Sequence, residues 1–475
     1  MPRSSPLPRF AVVLAAGKGT RMKSSRPKVL HEAGGRPLLG WVLAAARAAG
    51  CERLAVIVGH GAEAVRGAFA AESILWVEQT EQLGTGHALA QAETAVRASV
   101  AGESLLLVLS GDVPLLSSAT LVALAEAAER GWGAMATATL AEPGGLGRVI
   151  ARPDGTLARI VEAADASPAE RAIRSVNAGL YALRAPAIFD DLRRLRPDNA
   201  KGELYLTDAL GLAAEDGRSI ALVDLDEPAE AWGVNDRADL AKAEAWLVAR
   251  KARALMGDGV TLLAPERTRV EAQVEIGADT VLHADVTLLG ATRVGRGCTL
   301  HQGAWLRNTT VDDGAVVEPY SVIDGAHVGP GCRVGPFARL RPGTVLEAGA
   351  RVGNFVEVKN ATLGRGAKAN HLAYLGDASV GERANIGAGV VTCNYDGEAK
   401  HRTTVGAGAF VGSDTMLVAP VSIGVEATTA AGSVITKDVP DGALAVERSE
   451  QRLYPGWAER RKRRTAPRRP RAEKE

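Results

Sequence analysis

The chain lacks the features that would tie it to a membrane, an oxidising compartment or a nucleic acid. It has no run of about 18 apolar residues, and Met1 to Arg9 carries charge and proline but no apolar stretch of a leader. The expectation is a soluble, cytoplasmic protein with no membrane partner. Lys+Arg 56 against Asp+Glu 55 leaves +1 over 475 residues, so no overall field draws the chain to nucleic acid. One local exception, nine basic residues between Arg460 and Lys474, reads as a solvated, disordered tail over 459–475. The four cysteines, Cys51, Cys298, Cys332 and Cys393, lie far apart with no CxxC spacing, which reads as reduced thiols rather than a disulfide frame or a zinc site. Aromatics are only 4%, so Val, Leu and Ile must fill the cores.

What the chain does have is a six-residue beat through its C-terminal half. Val270, Ile276, Leu282, Leu288, Val294, Leu300 and Leu306 fall six apart. After a phase break the beat is expected again at Val316, Val322, Val328, Val334, Leu340, Leu346, Val352 and Val358, and later at Val405, Val411, Leu417 and Ile423. A period of six fits neither an amphipathic helix nor a simple strand. It fits a parallel β-helix, in which each short strand turns one aliphatic side chain inward and coils bury their core only by stacking. The spacing predicts a solenoid from about Gly259 to Asp438, on the order of 45 Å tall.

The first half reads differently. Phe10–Leu14, Leu54–Val58, Ser73–Val77 and Leu105–Leu109 look like buried strands, and Leu38–Ala49 and Thr120–Glu129 like helices. That alternation predicts an α/β unit with a mostly parallel sheet covered on both faces and a ligand site beyond the strand ends. Asp236–Met256 contains no Gly or Pro and predicts one helix of about 30 Å, with Leu240, Ala243 and Leu247 as its buried stripe. The expected division is 1–235, a linker helix over 236–257, a solenoid domain over 258–458 and the tail.

Leu14-Ala15-Ala16-Gly17-Lys18-Gly19-Thr20-Arg21-Met22 follows the first strand, and a glycine turn opening a helix offers N–H groups to phosphate. It is no Walker loop, because Lys18 precedes Gly19, and no dinucleotide fingerprint, because Met22 stands where a third Gly is needed. Pro27-Lys28, Gln82-Leu83-Gly84-Thr85-Gly86-His87 and Ser110-Gly111-Asp112 add to it in order. In the solenoid the beat slips where polar residues gather: Asn370-His371-Leu372-Ala373-Tyr374, then Asn385, then Cys393-Asn394-Tyr395-Asp396-Gly397. Arg341 and Lys359 are 18 apart, one coil, so two cations should stack on one face and suit a sugar phosphate.

These motifs resemble the sugar-nucleotide pyrophosphorylases. With the solenoid, residues 8 to 458 resemble the bacterial family of bifunctional N-acetylglucosamine-1-phosphate uridylyltransferase/glucosamine-1-phosphate acetyltransferases. The resemblance implies a Rossmann-like nucleotidyltransferase domain, a long linker helix and a left-handed parallel β-helix of hexapeptide repeats. It implies that Leu14, Ala15, Ala16, Gly17 and Lys28 hold the UTP phosphates, with Arg21 and Lys28 neutralising charge, while Gln79, Gly84 and Thr85 select uracil. Ser110, Gly111, Asp112 and Asn235 would also bind the UTP or UDP-sugar, and Asp112 with Asn235 would hold Mg²⁺; Gly147, Glu162 and Asn177 would hold the amino sugar. Leu146 departs from the tyrosine often found before that glycine. In the solenoid it implies His371 as general base, oriented or charge-balanced by Glu357. Arg341, Lys359, Tyr374 and Asn385 would be the glucosamine-phosphate ligands. Ala388, Asn394, Tyr395, Ser413, Ala431 and Arg448 would be the acetyl-CoA contacts, with Lys400 adding a phosphate contact. A homotrimer through the β-helix, cytoplasmic location and a role in supplying cell-wall precursors follow from the same resemblance.

Taken singly the residues have blander readings: Asp112 caps a turn, Asn235 caps the long helix, Lys28 lies on the surface, His371 is a satisfied surface histidine. Two other functions compete: a single-activity nucleotidyltransferase with a structural solenoid, and a non-enzymatic sugar-nucleotide sensor. The ordered set of motifs favours the two-reaction enzyme.

Overall fold

The apolar runs of the first half lie in strands Arg9–Ala15, Arg53–Val58, Leu75–Glu78 and Ser104–Ser110, and the helices run Leu38–Ala48 and Ser118–Ala128. This computed structural model describes residues 6–100 and 102–465. It divides into two units, one reaching Gly257 and including Arg269–Val274, the other made of Asp258–Thr268 and the chain from Glu275 onward.

In the first unit the sheet order is Ile220–Asp224, Gly133–Thr139, Ser175–Ala185, Ser104–Ser110, Arg9–Ala15, Arg53–Val58, Leu75–Glu78. Ser175–Ala185 is antiparallel to both neighbours and the other neighbours pair parallel. Alternation along the strands feeds two cores. Val13, Val56, Leu107 and Leu109 pack with the helices Leu38–Ala48 and Ser118–Ala128. Val12, Ile57, Leu106 and Val108 pack on the other face with Ile188, Phe189, Leu206 and Leu210. The chain leaves Arg9–Ala15 toward Arg53–Val58 on one side and returns to Ser104–Ser110 on the other. The order therefore reverses at the first strand, and a crevice opens at its carboxyl end.

Arg237–Gly257 is the long helix, with Ala243, Leu247, Ala252 and Leu255 buried and Leu240 only partly so. Its cap is Asp236, whose Oδ1 accepts from the N–H groups of Ala238 (2.8 Å) and Asp239 (2.9 Å).

The second unit is a left-handed parallel β-helix whose three faces carry 11, 9 and 9 strands, each coil contributing one strand per face. Leu300, Val317, Val334, Val352, Ala369 and Ile386 form one inward column. The expected beat errs by one residue after Leu306. Val317 and Ile323, not Val316 and Val322, point inward, and Val322 is 40% exposed. The cause is a pair of five-residue steps, Leu306 to Val311 and Ile323 to Val328; counting back from Val328 by six misses the second and lands on Val322 and Val316. Coiling continues past Asp438 to the strand Leu444–Ala445. Trp457–Thr465 is helical, where the sequence reading expected disorder from 459; its Ala, Glu, Arg and Lys favour helix. The rest of the expected tail lies outside the described residues.

Candidate functional sites

The glycine loop sits at the reversal point. It is followed by a single 3₁₀ turn, Thr20–Met22, so the helix expected there is absent and its N-terminus cannot serve phosphate. Gly19 is needed for two reasons. Its φ is +58°, and a Cβ there would stand 2.7 Å from the Cβ of Lys28, so the loop packs directly on that lysine. Lys28 opens its own 3₁₀ turn after Pro27 and turns its Nζ to Asp112. A crevice of about 270 Å³ is lined by Leu14, Ala15, Ala16, Gly17, Lys28, Gln79, Gly84, Thr85, Ser110 and Asp112, all expected. Gln82, Ala88 and Glu203 join them. Gln79 is buried, its amide donating to the carbonyl of Gly84 (3.3 Å) and meeting His87 Nδ1 at 3.0 Å, which orients it at the crevice wall.

Asn235 and Asp112 are not mere caps. Asp236 caps the helix, leaving the Asn235 side-chain Oδ1 to accept from Arg21 (2.8 Å) and stand 3.5 Å from Lys28 Nζ. Asp112 meets the same Lys28, and its backbone oxygen accepts from the N–H of Val234 at 2.9 Å. A Cβ on Gly233 would lie 3.7 Å from both Asp112 oxygens and 3.8 Å from Asn235 Nδ2. Two hard oxygen donors thus converge from two elements.

Gly147, Glu162 and Asn177 form a second cluster beyond the crevice lining. The Asn177 N–H donates to the Gly147 carbonyl (2.9 Å), and a Cβ on Gly147 would meet Glu162 Oε1 at 3.3 Å. Asn177 sits at a bulge in Ser175–Ala185, accepts from the Gly179 N–H and donates to the Tyr181 hydroxyl (2.7 Å). The Thr207 hydroxyl donates to Glu162 at 3.1 Å. Burial holds the Tyr181 phenol well above its usual range, so that partner is a neutral hydroxyl.

On the β-helix, Arg341 and Lys359 stack in register as expected, since Arg339 pairs with Glu357 and Leu340 with Val358. Tyr374 stands one coil further on the same face, opposite Glu357. Glu357 does not orient His371: its carboxylate takes the Arg341 guanidinium at 2.9 Å. The partner of His371 is Asn354, whose Oδ1 lies 2.9 Å from Nδ1. Asn385 pairs with Lys368, at the far end of that strand from His371.

The other acetyl-end residues divide between two corners of the prism. Beyond His371, one corner climbs by backbone bonds from Gly389 to Leu372 (2.8 Å), Asp414 to Ala388 (2.7 Å) and Gly432 to Ser413 (2.8 Å). Arg448 then donates to the Ala431 carbonyl at 3.1 Å. Ala388, Ser413, Ala431 and Arg448 are therefore one ladder above His371. Asn394 and Tyr395 belong to another corner. There the coil below has the single residue Asp377 between its strands, and this coil has residues 394–402. Asn394 donates to Asp377, and Lys359 holds the Lys400 ammonium of that loop below its usual range.

A family model described as a MobA-like NTP transferase domain matches residues 11–256. Over 462 residues the chain is 50% identical to the Bifunctional protein GlmU of Anaeromyxobacter sp. (strain Fw109-5), covering 96% of this chain and 94% of that protein. It is 46% identical to the Bifunctional protein GlmU of Pelobacter propionicus over 96% of this chain and 99% of that protein. The figures for that of Alkalilimnicola ehrlichii are 47%, 94% and 95%.

The chain belongs to the GlmU family.

As a GlmU-type enzyme it has two activities, N-acetylglucosamine-1-phosphate uridylyltransferase and glucosamine-1-phosphate acetyltransferase, and it serves cell-wall synthesis. Nucleotidyltransferases of this family work with a divalent metal. The donor set fits one: a carboxylate and an amide oxygen meeting beside the glycine loop are hard ligands suited to an ion that keeps several waters. No helix among the described residues is long and apolar enough to cross a membrane. Of the residues the sequence reading missed, Gln82 lay within the Gln82–His87 motif, whereas Asn354 lay between Val352 and Val358, where the beat is regular and gives no signal. Glu203 and Thr207 carry no local signal, because only folding brings them to the site.

Proposed function

We propose that the crevice at the first strand is the uridylyl-transfer site and the His371 corner the acetyl-transfer site, and that the enzyme uses Mg²⁺, works in the cytoplasm and assembles as a homotrimer. The observation carrying the first half is the meeting of Arg21, Lys28, Asp112 and Asn235 at the sheet's reversal point. There the phosphate oxygen of N-acetylglucosamine 1-phosphate attacks the α-phosphorus of UTP and pyrophosphate leaves in line. Such a transfer asks the protein mainly to position groups and offset charge. Arg21 and Lys28 offset charge on the phosphates, Gln79, Gly84 and Thr85 hold the base, and Gly147, Glu162 and Asn177 the sugar. Mg²⁺ held by Asp112 and Asn235 would supply further charge neutralisation.

In the β-helix the amine of glucosamine 1-phosphate attacks the thioester carbonyl, His371 takes its proton, and coenzyme A departs as the amide forms. Arg341 and Lys359 hold the phosphate, joined by Tyr374 and Asn385, and the corner ladder runs along the acetyl-CoA chain. Reciprocal variants test the division. Asp112→Ala should lower uridylyl transfer on the order of 10²–10³-fold with acetyl transfer intact. His371→Ala should do the reverse by about 10²–10⁴-fold. The assays follow pyrophosphate and coenzyme A release separately, and unchanged pyrophosphate release from Asp112→Ala at saturating Mg²⁺ would remove Asp112 from the metal site.

A further inference from the structure

We propose that Asn354 is a positioning residue for acetyl transfer, accepting the Nδ1–H of His371 and so holding the imidazole with its Nε2 lone pair toward the attacking amine. The inference rests on the reading of His371 as the base. Asn354 and His371 are cross-coil partners in the same ladder, so their 2.9 Å contact is set by backbone register and not by a chance rotamer. The next residues, Phe355 (φ +58°) and Leu372 (φ +43°), turn the corner in the same left-handed conformation. The Leu372 N–H donates to the Asn354 carbonyl at 3.0 Å. One residue earlier, Gly353 leaves no room for a side chain against the Asn370 carbonyl, so the two coils approach closely beside the pair.

An amide suits the task in a way a carboxylate does not. It offers an acceptor for Nδ1–H without a charge that would stabilise the imidazolium. The proton taken as the N–C bond forms can then pass from Nε2 to the thiolate released as the C–S bond breaks. The polar groups on the neighbouring strands lie as follows. Glu357 on the adjoining face is paired with Arg341. Lys368 on the same strand stacks on Arg351 of the coil below. Tyr374 follows on the next strand.

The test uses the full chain with acetyl-CoA and glucosamine 1-phosphate. Asn354→Leu keeps the size and loses the acceptor; kcat should fall about five- to tenfold with both KM values little changed. Asn354→Asp restores the acceptor and should recover most of that loss at the plateau. Its added charge should also move the acidic limb of the pH profile to higher pH. In the unaltered protein, ¹⁵N NMR of the His371 ring, identified by its loss in His371→Ala, should show a proton on Nδ1. That reading stands even where a variant disturbs the corner. A proton on Nε2, an unchanged kcat in Asn354→Leu, or equal losses in the Leu and Asp variants would overturn the proposal. Full acetyl transfer by His371→Ala would instead sink the base assignment itself, so the two failures are distinguishable.

Discussion

Lys359 and Lys400 stand so close that Lys359 holds the Lys400 ammonium below its usual range, and Arg341 stacks one coil beneath Lys359. Burial would raise the Asp377 carboxyl, but hydrogen bonds from Asn360 and Asn394 and the charges of Lys359 and Lys400 hold it below its usual range instead. Two carboxylates, Asp377 and the Glu357 that pairs with Arg341, against these three cations leave one positive charge in excess that a bound phosphate would offset. Lys359→Ala should therefore raise the KM for glucosamine 1-phosphate by about 10–100-fold, the scale of a charged hydrogen bond, with the KM for acetyl-CoA nearly unchanged. Initial-rate measurements with each substrate varied in turn check this, and equal changes in both would count against a phosphate role. The stacking of Arg341 on Lys359 was legible in the sequence because one coil equals their spacing. The partner of His371 was not. Spacing brings both Glu357 and Asn354 within a coil of it, and only the register and the Arg341–Glu357 ion pair decide between them. The same holds for Asn235, whose cap role passes to the neighbouring Asp236, a one-residue distinction that a motif cannot make.

At the scale of elements, the loop over residues 394–402 is the one long insertion among the described residues at its corner of the prism, and Asp396 organises it. The amide N–H groups of Ala399 and Glu398, and then His401 at 2.6 Å, hold its carboxyl well below the usual range. A depressed carboxylate stabilises the fold fully above its unfolded value, about pH 4, and loses that contribution as pH falls toward its folded value. Acid should therefore loosen this loop early. Below about pH 4, exchange of the Ala399 and Glu398 amides should accelerate before that of the stacked strands. Asp396→Asn, which keeps the acceptor oxygen, should remove that pH dependence; an unaltered exchange profile in that variant would show that another group controls the loop. Strands and the long helix were readable from apolar period alone. The error at Val316 and Val322 arose because a five-residue step costs the beat one position, and apolar residues adjacent to each other hide the slip. The missing helix after Gly19 has a similar origin, since left-handed Gly19 and Lys23 bracket a single turn.

On the scale of the whole molecule, the corner below His371 exposes a ladder of rings. Tyr320 stacks on Phe337 and Phe337 on Phe355, each with centroids 5.4 Å apart, and the three are 49%, 48% and 57% exposed. A row of large apolar groups repeated along a rigid prism is suited to burial against another copy, which supports the trimer reading. The corner ladder of Ala388, Ser413 and Ala431 and the loop bearing Asn394 stand on different edges of one prism, so neighbouring copies can bring one of each to a shared acetyl-CoA site. Two expectations follow from that geometry. Phe355→Asp should shift the protein toward monomer in sedimentation equilibrium and lower acetyl transfer while sparing uridylyl transfer. Chains carrying His371→Ala and chains carrying Asn394→Ala, each nearly inactive in acetyl transfer, should regain activity when co-assembled, because a mixed trimer contains an interface with His371 from one copy and Asn394 from the next. Mixtures no more active than the sum of their parts, with mixed assembly verified by differential tags, would place the whole acetyl site within a single chain.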